Sequence, residues 1–340
     1  MGNQRVACRS GGGPMSRLVA AASTLLAAGP VFATSFELPA PDVEIVGEIE
    51  TTRTRAEDTL LDVARRYGLG YEDITLANPD VDPWLPGDGT EVTLPTRFIL
   101  PGGPREGMVV NVAELRLYYY PKPQPGRAPV VVTHPISIGR MDWSTPIGIT
   151  RITAKVRNPT WYPPKSVRDE HAAEGHVLPR AVPPGRDNPL GEYAMKLDLP
   201  GYLIHGTNRP DGVGMRVTHG CIRMYPENIE SLSALVPIGT PVRIINEPYK
   251  VGWSDGQLFL EAHPPLEEHI GADGDNLTRV TELYVAATRM RPASINWYRT
   301  QKIFREAQGI PLGMSTSEPD YLIVADEADE PEQYLENETL

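Results

Sequence analysis

The sequence predicts a mostly β chain with minor α content. It is ordered as a small βααβ unit, a long strand-rich region and a C-terminal α/β appendage. Three observations point there. The 340 residues include 35 prolines and 31 glycines, which punctuate turns and shaped loops and break long helices. β-Branched and aromatic residues recur in short runs along the middle of the chain, as strands require. Helical spacing is confined to a few short segments, two of them close together near the N-terminal end.

Gly2 to Pro14 contains no hydrophobic run. Met15-Ser16-Arg17 then leads into the apolar segment Leu18 to Ala28, and Pro30 is followed by Val31-Phe32-Ala33. This is the layout of an export signal over residues 1–33, cleaved before Thr34, with Met15 as an alternative start. The run is too short for a permanent membrane anchor. Removal of the signal takes Cys8 with it and leaves Cys221 as the single thiol of an exported chain. Exported chains usually spend cysteines on disulfides, so an unpaired one points to chemistry.

Roughly 300 remaining residues are enough for two or three domains with ordinary cores. The net charge of −12 is uneven, with nine acidic and no basic residues from Glu318 to Leu340. The 318–340 tail reads as disordered. An acidic chain without a basic stripe is not a nucleic-acid binder.

Residues 42–97 form the small unit. Asp58-Thr59 caps a helical pattern carrying Leu60, Leu61, Val63, Ala64 and Tyr67, which stops at Gly68. A second short helix near Tyr71 to Ala77 ends at Asn78-Pro79, and extended runs near Val43 to Ile49 and Glu91 to Leu94 flank the pair. Pro95 to Glu106 reads as a linker. Strands are expected over Val109 to Tyr120, Val130 to Ile138, Thr145 to Thr150, Ile152 to Val156, Tyr193 to Leu197, Tyr202 to His205, Arg216 to Thr218 and Pro241 to Ile245. A proline-dense loop from Asn158 to Asn188 holds Trp161, Tyr162, His171 and His176. A helix is expected over Pro226 to Leu235. The appendage, 247–317, carries a strand near Gln257 to Ala262 and helices near Leu277 to Met290 and Ile295 to Ala307.

Chemistry concentrates at Leu203-Ile204-His205-Gly206-Thr207 and Val217-Thr218-His219-Gly220-Cys221-Ile222-Arg223-Met224. On an extended segment alternate side chains share a face, which groups His219, Cys221 and Arg223. Gly220 leaves room for a substrate backbone, and a nearby N–H suits a developing oxyanion. A thiol beside imidazoles performs acyl transfer: imidazole takes the proton and thiolate attacks a carbonyl. Spacing alone leaves either His205 or His219 as the base. A zinc site from His205, His219 and Cys221 has the right donor types but lacks a fourth ligand at motif spacing, so no metal is expected.

Two resemblances follow from these residues. Asp58-Thr59-Leu60, Ala64, Tyr67-Gly68, Ala77-Asn78-Pro79 and Val92-Thr93-Leu94-Pro95 resemble a LysM module, which binds peptidoglycan and chitin. Glu57 departs from that pattern, where glycine is usual. His205-Gly206-Thr207 with Thr218-His219-Gly220-Cys221-Ile222-Arg223 resembles the signature of the L,D-transpeptidase (YkuD-domain) family. Supporting matches, such as Thr145-Pro146-Ile147-Gly148, extend the likeness over residues 107–246.

The second resemblance implies a β-sandwich-like catalytic domain, with Cys221 as nucleophile and His205 as base. His205 would be oriented by a backbone carbonyl near Gly206. His219, Gly220, Arg223, Gly206 and Thr218 would line the substrate and oxyanion region, with Trp161 and Tyr162 walling the groove. No cofactor is implied. The donor would be a peptidoglycan tetrapeptide that loses D-Ala. The acceptor would be a diaminopimelate amine or a lysine of an anchored outer-membrane protein, in the periplasm, and carbapenems would acylate Cys221. An L,D-carboxypeptidase, a hydrolase releasing anchored protein, and a non-catalytic peptidoglycan-binding protein are the alternatives.

Overall fold

The computed structural model describes residues 34–271 and 276–315. The expected export segment and the acidic tail lie outside the described residues. Among those described, no helix is long and apolar enough to cross a membrane.

The N-terminal part runs β1 (Thr34–Glu37), β2 (Ile45–Gly47), β3 (Glu50–Arg53), α1 (Leu60–Arg66), α2 (Tyr71–Leu76), β4 (Glu91–Leu94) and β5 (Arg97–Ile99). Helix α1 starts on a capping box: Thr59 Oγ1 accepts from the Asp62 N–H at 3.2 Å, and the Asp62 carboxylate accepts from the Thr59 N–H at 2.9 Å. It stops where Gly68 turns to φ +68°. The strand that pairs with β4 is β3, not the earlier run near Val43 to Ile49; part of that run, β2, pairs instead with β5, inside the expected linker. These pairings join residues 38 to 54 positions apart, which local pattern does not encode.

The central region contains β6 (Gly107–Asn111), β7 (Arg116–Tyr120), β8 (Val130–Pro135), β9 (Ile138–Gly139), β10 (Gly148–Arg157), α3 (Lys165–Ala173), β11 (Tyr193–Leu197), β12 (Leu203–His205), β13 (Arg216–Thr218), β14 (Ile222–Arg223), α4 (Pro226–Leu235) and β15 (Pro241–Ile245). The expected single strand over Val109 to Tyr120 is a hairpin, because Leu115 takes φ +53° and turns the chain. The proline-dense loop contains a helix, α3, which buries only Val167 and so carries little apolar periodicity.

Nine strands hydrogen-bond in the order β1-β8-β7-β6-β15-β10-β11-β12-β14. Strand β10 makes the corner: Gly148 to Arg151 pair with β15, whereas Ile152 to Arg157 pair with β11. A strand that changes partners this way lets one continuous sheet supply two packed layers. The sandwich-like expectation is thus met by one sheet bent over itself. Met108, Leu117 and Ile244 from one side and Met195, Ile204 and Ile222 from the other share the core between them.

The N-terminal unit does not have a core of its own. Leu60, Val63, Leu69 and Ile74 pack with Val109, Tyr118, Tyr120 and Val131 of the sheet. The C-terminal part, β16 (Tyr249–Ser254), β17 (Gln257–Ala262), α5 (Thr278–Thr288), α6 (Trp297–Glu306) and β18 (Leu312–Gly313), builds a further core around Trp253, Leu260 and Ile303.

Buried charges join the three parts. Asp73 of α2 pairs with Arg116 of β7 at 2.5 Å, with the guanidinium fully buried. Lys250 of β16 pairs with Glu114 and Glu261 at 2.8 Å each and donates to the Ile99 carbonyl at 2.8 Å. His263 meets Glu261 at 2.8 Å. Glu114, Glu261 and His263 bring donor atoms within 4.8 Å of one another. The Lys250 ammonium bonds both carboxylates, so it already supplies the positive charge a metal would bring.

Candidate active site

Strands β12 and β14 are parallel neighbours, with Ile204 opposite Ile222 and His205 opposite Arg223. Alternation sends Ile204 and Ile222 into the core at 0% and 1% exposure. It leaves His205, Cys221 and Arg223 lining a cleft of about 500 Å³.

The His205 Nδ1–H donates to the Gly206 carbonyl at 2.6 Å. That bond fixes the tautomer and leaves Nε2 as the acceptor of the ring. Burial first, and the charge of Arg223 second, bring the His205 pKa down to about 4 against the opposing pull of the Gly206 carbonyl. Cys221 is half-buried. Its thiol lies 3.6 Å from the Gly201 carbonyl, and burial pushes its pKa up, with a Leu203 backbone hydrogen bond and Arg223 opposing. At neutral pH the resting pair is therefore thiol and neutral imidazole.

The turn that presents Cys221 is tied from several sides. Thr218 Oγ1 donates to the Cys221 carbonyl at 2.6 Å. Thr145 Oγ1 donates to the Gly220 carbonyl at 2.9 Å and accepts from the Gly139 N–H at 3.0 Å. Gly220 takes φ +94°, and a Cβ there would come within 2.9 Å of the Tyr202 ring. Among the described residues the Gly220 and Cys221 N–H groups meet no hydrogen-bond acceptor.

His219 is turned to another partner. Its Nε2 lies 2.8 Å from the Glu170 carboxylate, which also pairs with Arg140. The Trp143 ring stands edge-on at 5.1 Å. Burial, then Arg140, His171 and Arg223, hold the His219 pKa below the ordinary histidine range against the opposing pull of Glu174. Glu170 lies on α3, so α3 is latched to the cysteine turn. Glu170 carries no sequence signal, since an acidic residue in a proline-rich loop belongs to no motif, whereas Arg140 falls in Ile138-Gly139-Arg140, one of the stretches that support the family resemblance.

Arg223 has no carboxylate partner among the described residues, and its Nε meets no acceptor. Burial and the nearby Arg209 lower its pKa. Trp161 pairs through its backbone with Val182, while Tyr162 is 70% exposed, and both line the cleft beside Val167 of α3.

Comparison with known proteins follows the same lines. The family described as the L,D-transpeptidase catalytic domain (YkuD) matches residues 105–244. "Probable L,D-transpeptidase YcfS" of Escherichia coli is 42% identical, over 74% of this chain and 79% of its own length. "Probable L,D-transpeptidase ErfK/SrfK" of Salmonella typhimurium is 38% identical, over 84% of this chain and 93% of its own. Among solved structures, the catalytic domain from the E. faecium L,D-transpeptidase is 24% identical with a TM-score of 0.31, covering 42% of this chain and all of that one.

Proposed function

Because this chain belongs to the L,D-transpeptidase family, we propose that it is a peptidoglycan L,D-transpeptidase in which Cys221 is the nucleophile and His205 the general base. The observation that carries these roles is the His205 tautomer: with Nδ1–H on the Gly206 carbonyl, Nε2 is free to take the thiol proton. The thiolate attacks the carbonyl preceding the terminal D-Ala, and the unpaired Gly220 and Cys221 N–H groups receive the oxyanion. The His205 imidazolium returns its proton to the departing D-Ala amine, leaving a thioester on Cys221. An acceptor amine then attacks, gives a proton to His205, and the thiol is restored with a new amide. Thr218 and Gly220 shape the turn that presents Cys221, the Gly206 carbonyl orients His205, His219 and Arg223 line the substrate, and Trp161 and Tyr162 wall the groove.

The acceptor is a diaminopimelate amine or a lysine of an outer-membrane protein. A carbapenem, being an acyl donor, acylates Cys221. Residues 1–33 direct export to the periplasm. Residues 107–246 form the catalytic domain and 247–317 the appendage. Residues 42–97 are a LysM-like glycan-binding unit; the β3-α1-α2-β4 order and Trp84, 56% exposed beside Tyr71, support that reading.

The test incubates the mature protein with a purified tetrapeptide muropeptide and reads products by mass spectrometry, with Cys221→Ala as control. A Cys221-dependent dimer with loss of D-Ala is expected. Tripeptide without dimer means that water accepts, making the enzyme an L,D-carboxypeptidase under these conditions. No change overturns the tetrapeptide donor.

A further inference from the structure

The cleft contains a second cation that the reaction leaves unassigned. Lys196 lies on β11, opposite Leu203 of β12. Parity along the strand sets its direction. Met195 and Leu197 enter the core with Ile204, so Lys196 belongs to the same face as Leu203, His205 and Arg223. It lines the same cleft as Cys221. Lys196 is exposed and has no carboxylate partner among the described residues. Arg151 of β10, by contrast, is paired with Asp198 at 2.9 Å. The residues lining the cleft include two cations, Arg223 and Lys196, and no carboxylate. Such a surface matches an anionic ligand.

Geometry gives the two cations different positions along that ligand. Arg223 is two residues from the nucleophile. Lys196 lies two strands away and two residues along, which places the Cα atoms roughly 12 Å apart at ordinary strand spacing and rise. That is about the reach of three extended residues. The donor stem has carboxylates on both sides of the attacked carbonyl. One ends the leaving D-Ala, and others stand on the acyl side, on the γ-linked glutamyl residue and on the diaminopimelate side chain.

We propose that Lys196 is a specificity-determining residue that binds a carboxylate in the acyl half of the donor stem. The proposal rests on the tetrapeptide-donor reading above. Lys196 fixes how far the stem slides along β11 and β12, and so which carbonyl stands over Cys221. It makes no contact with the reacting atoms, so it acts on donor binding rather than on bond breaking.

The test measures D-Ala release under steady-state conditions with three donors: the native tetrapeptide muropeptide, one amidated at the glutamyl α-carboxylate, and one amidated at the diaminopimelate side-chain carboxylate. With the unaltered enzyme, one amidation raises KM about fivefold, the scale of a solvent-accessible charged contact, and the arm that does so identifies the carboxylate. Lys196→Gln shows the same rise with the native donor, leaves kcat within about twofold, and becomes indifferent to that amidation. Lys196→Arg restores KM. Thermal unfolding shows that each exposed substitution leaves the fold intact. A Lys196→Gln enzyme with unchanged KM, or one that still loses binding on either amidation, overturns the proposal while leaving the donor reading standing. No D-Ala release by the unaltered enzyme overturns both.

Discussion

Charges are arranged in opposite ways at the cleft and at the three-part junction. At the junction Asp73–Arg116 and Glu114–Lys250–Glu261–His263 are buried and mutually bonded. In the cleft, Arg223 and Lys196 have no anionic partner among the described residues, and His205 is buried as a neutral ring. The first arrangement holds three parts of one chain in fixed relation, since a buried charge is tolerable only when paired. The second leaves positive charge available to a substrate, and its imidazole unprotonated for use as a base. Partnering, rather than charge itself, separates the structural cluster from the reactive one.

The largest break in this contrast is at the nucleophile and base. Cys221→Ala and His205→Ala each lower D-Ala release about 10³-fold or more with the unfolding midpoint nearly unchanged. Wild-type rates retained by either variant would remove that residue from the chemistry. At the junction the sign reverses. Lys250→Met leaves two buried carboxylates facing each other and costs about 3–5 kcal/mol of stability, read as a shift in urea midpoint, while activity of the folded fraction persists.

Acid sharpens the comparison next. His205 and His134 are both buried with depressed pKa values, about 4 and about 3, each mainly through burial. The unfolded chain binds their protons near pH 6.5 and the folded chain does not. Their contribution to stability is present above pH 6.5 and is lost as the pH falls toward those values, at about 1.4 kcal/mol per unit for each ring. Unfolding midpoints between pH 7 and 4 check this, and His134→Asn flattens the slope. The kcat/KM profile keeps its acid limb near pH 4, where free-enzyme His205 protonates. The smallest effect belongs to Arg65–Glu227, a half-exposed bidentate pair at 2.8 and 2.9 Å between α1 and α4. Arg65→Ala costs about 1 kcal/mol or less in the same denaturation measurement.

Legibility in the sequence followed the range of the interactions involved. The capped helix after Thr59, the short helix from Tyr71, β4 and α4 depend on local spacing and caps, and the sequence reading placed them within a few residues. The segments around His205 and Cys221 were legible because chemistry demands several residue types at once. Pairings such as β1 with β8 escaped notice, since Thr34 and Thr133 are adjacent only through the fold. The α3 helix was hidden by proline-rich surroundings and a single buried side chain. Glu170 on His219 and Glu114 on Lys250 are contacts across 49 residues and more. Nothing near Lys196 sets it apart; only the β11 register assigns it to the cleft.

The account turns on Cys221 carrying the acyl group. Intact-protein mass spectrometry after brief mixing with tetrapeptide donor, quenched in acid without an acceptor amine, tests it directly. The account predicts an adduct equal to the donor minus D-Ala, mapped to the peptide containing Cys221 and absent in Cys221→Ala. D-Ala release with no adduct on Cys221, or an adduct that survives its replacement, would contradict it.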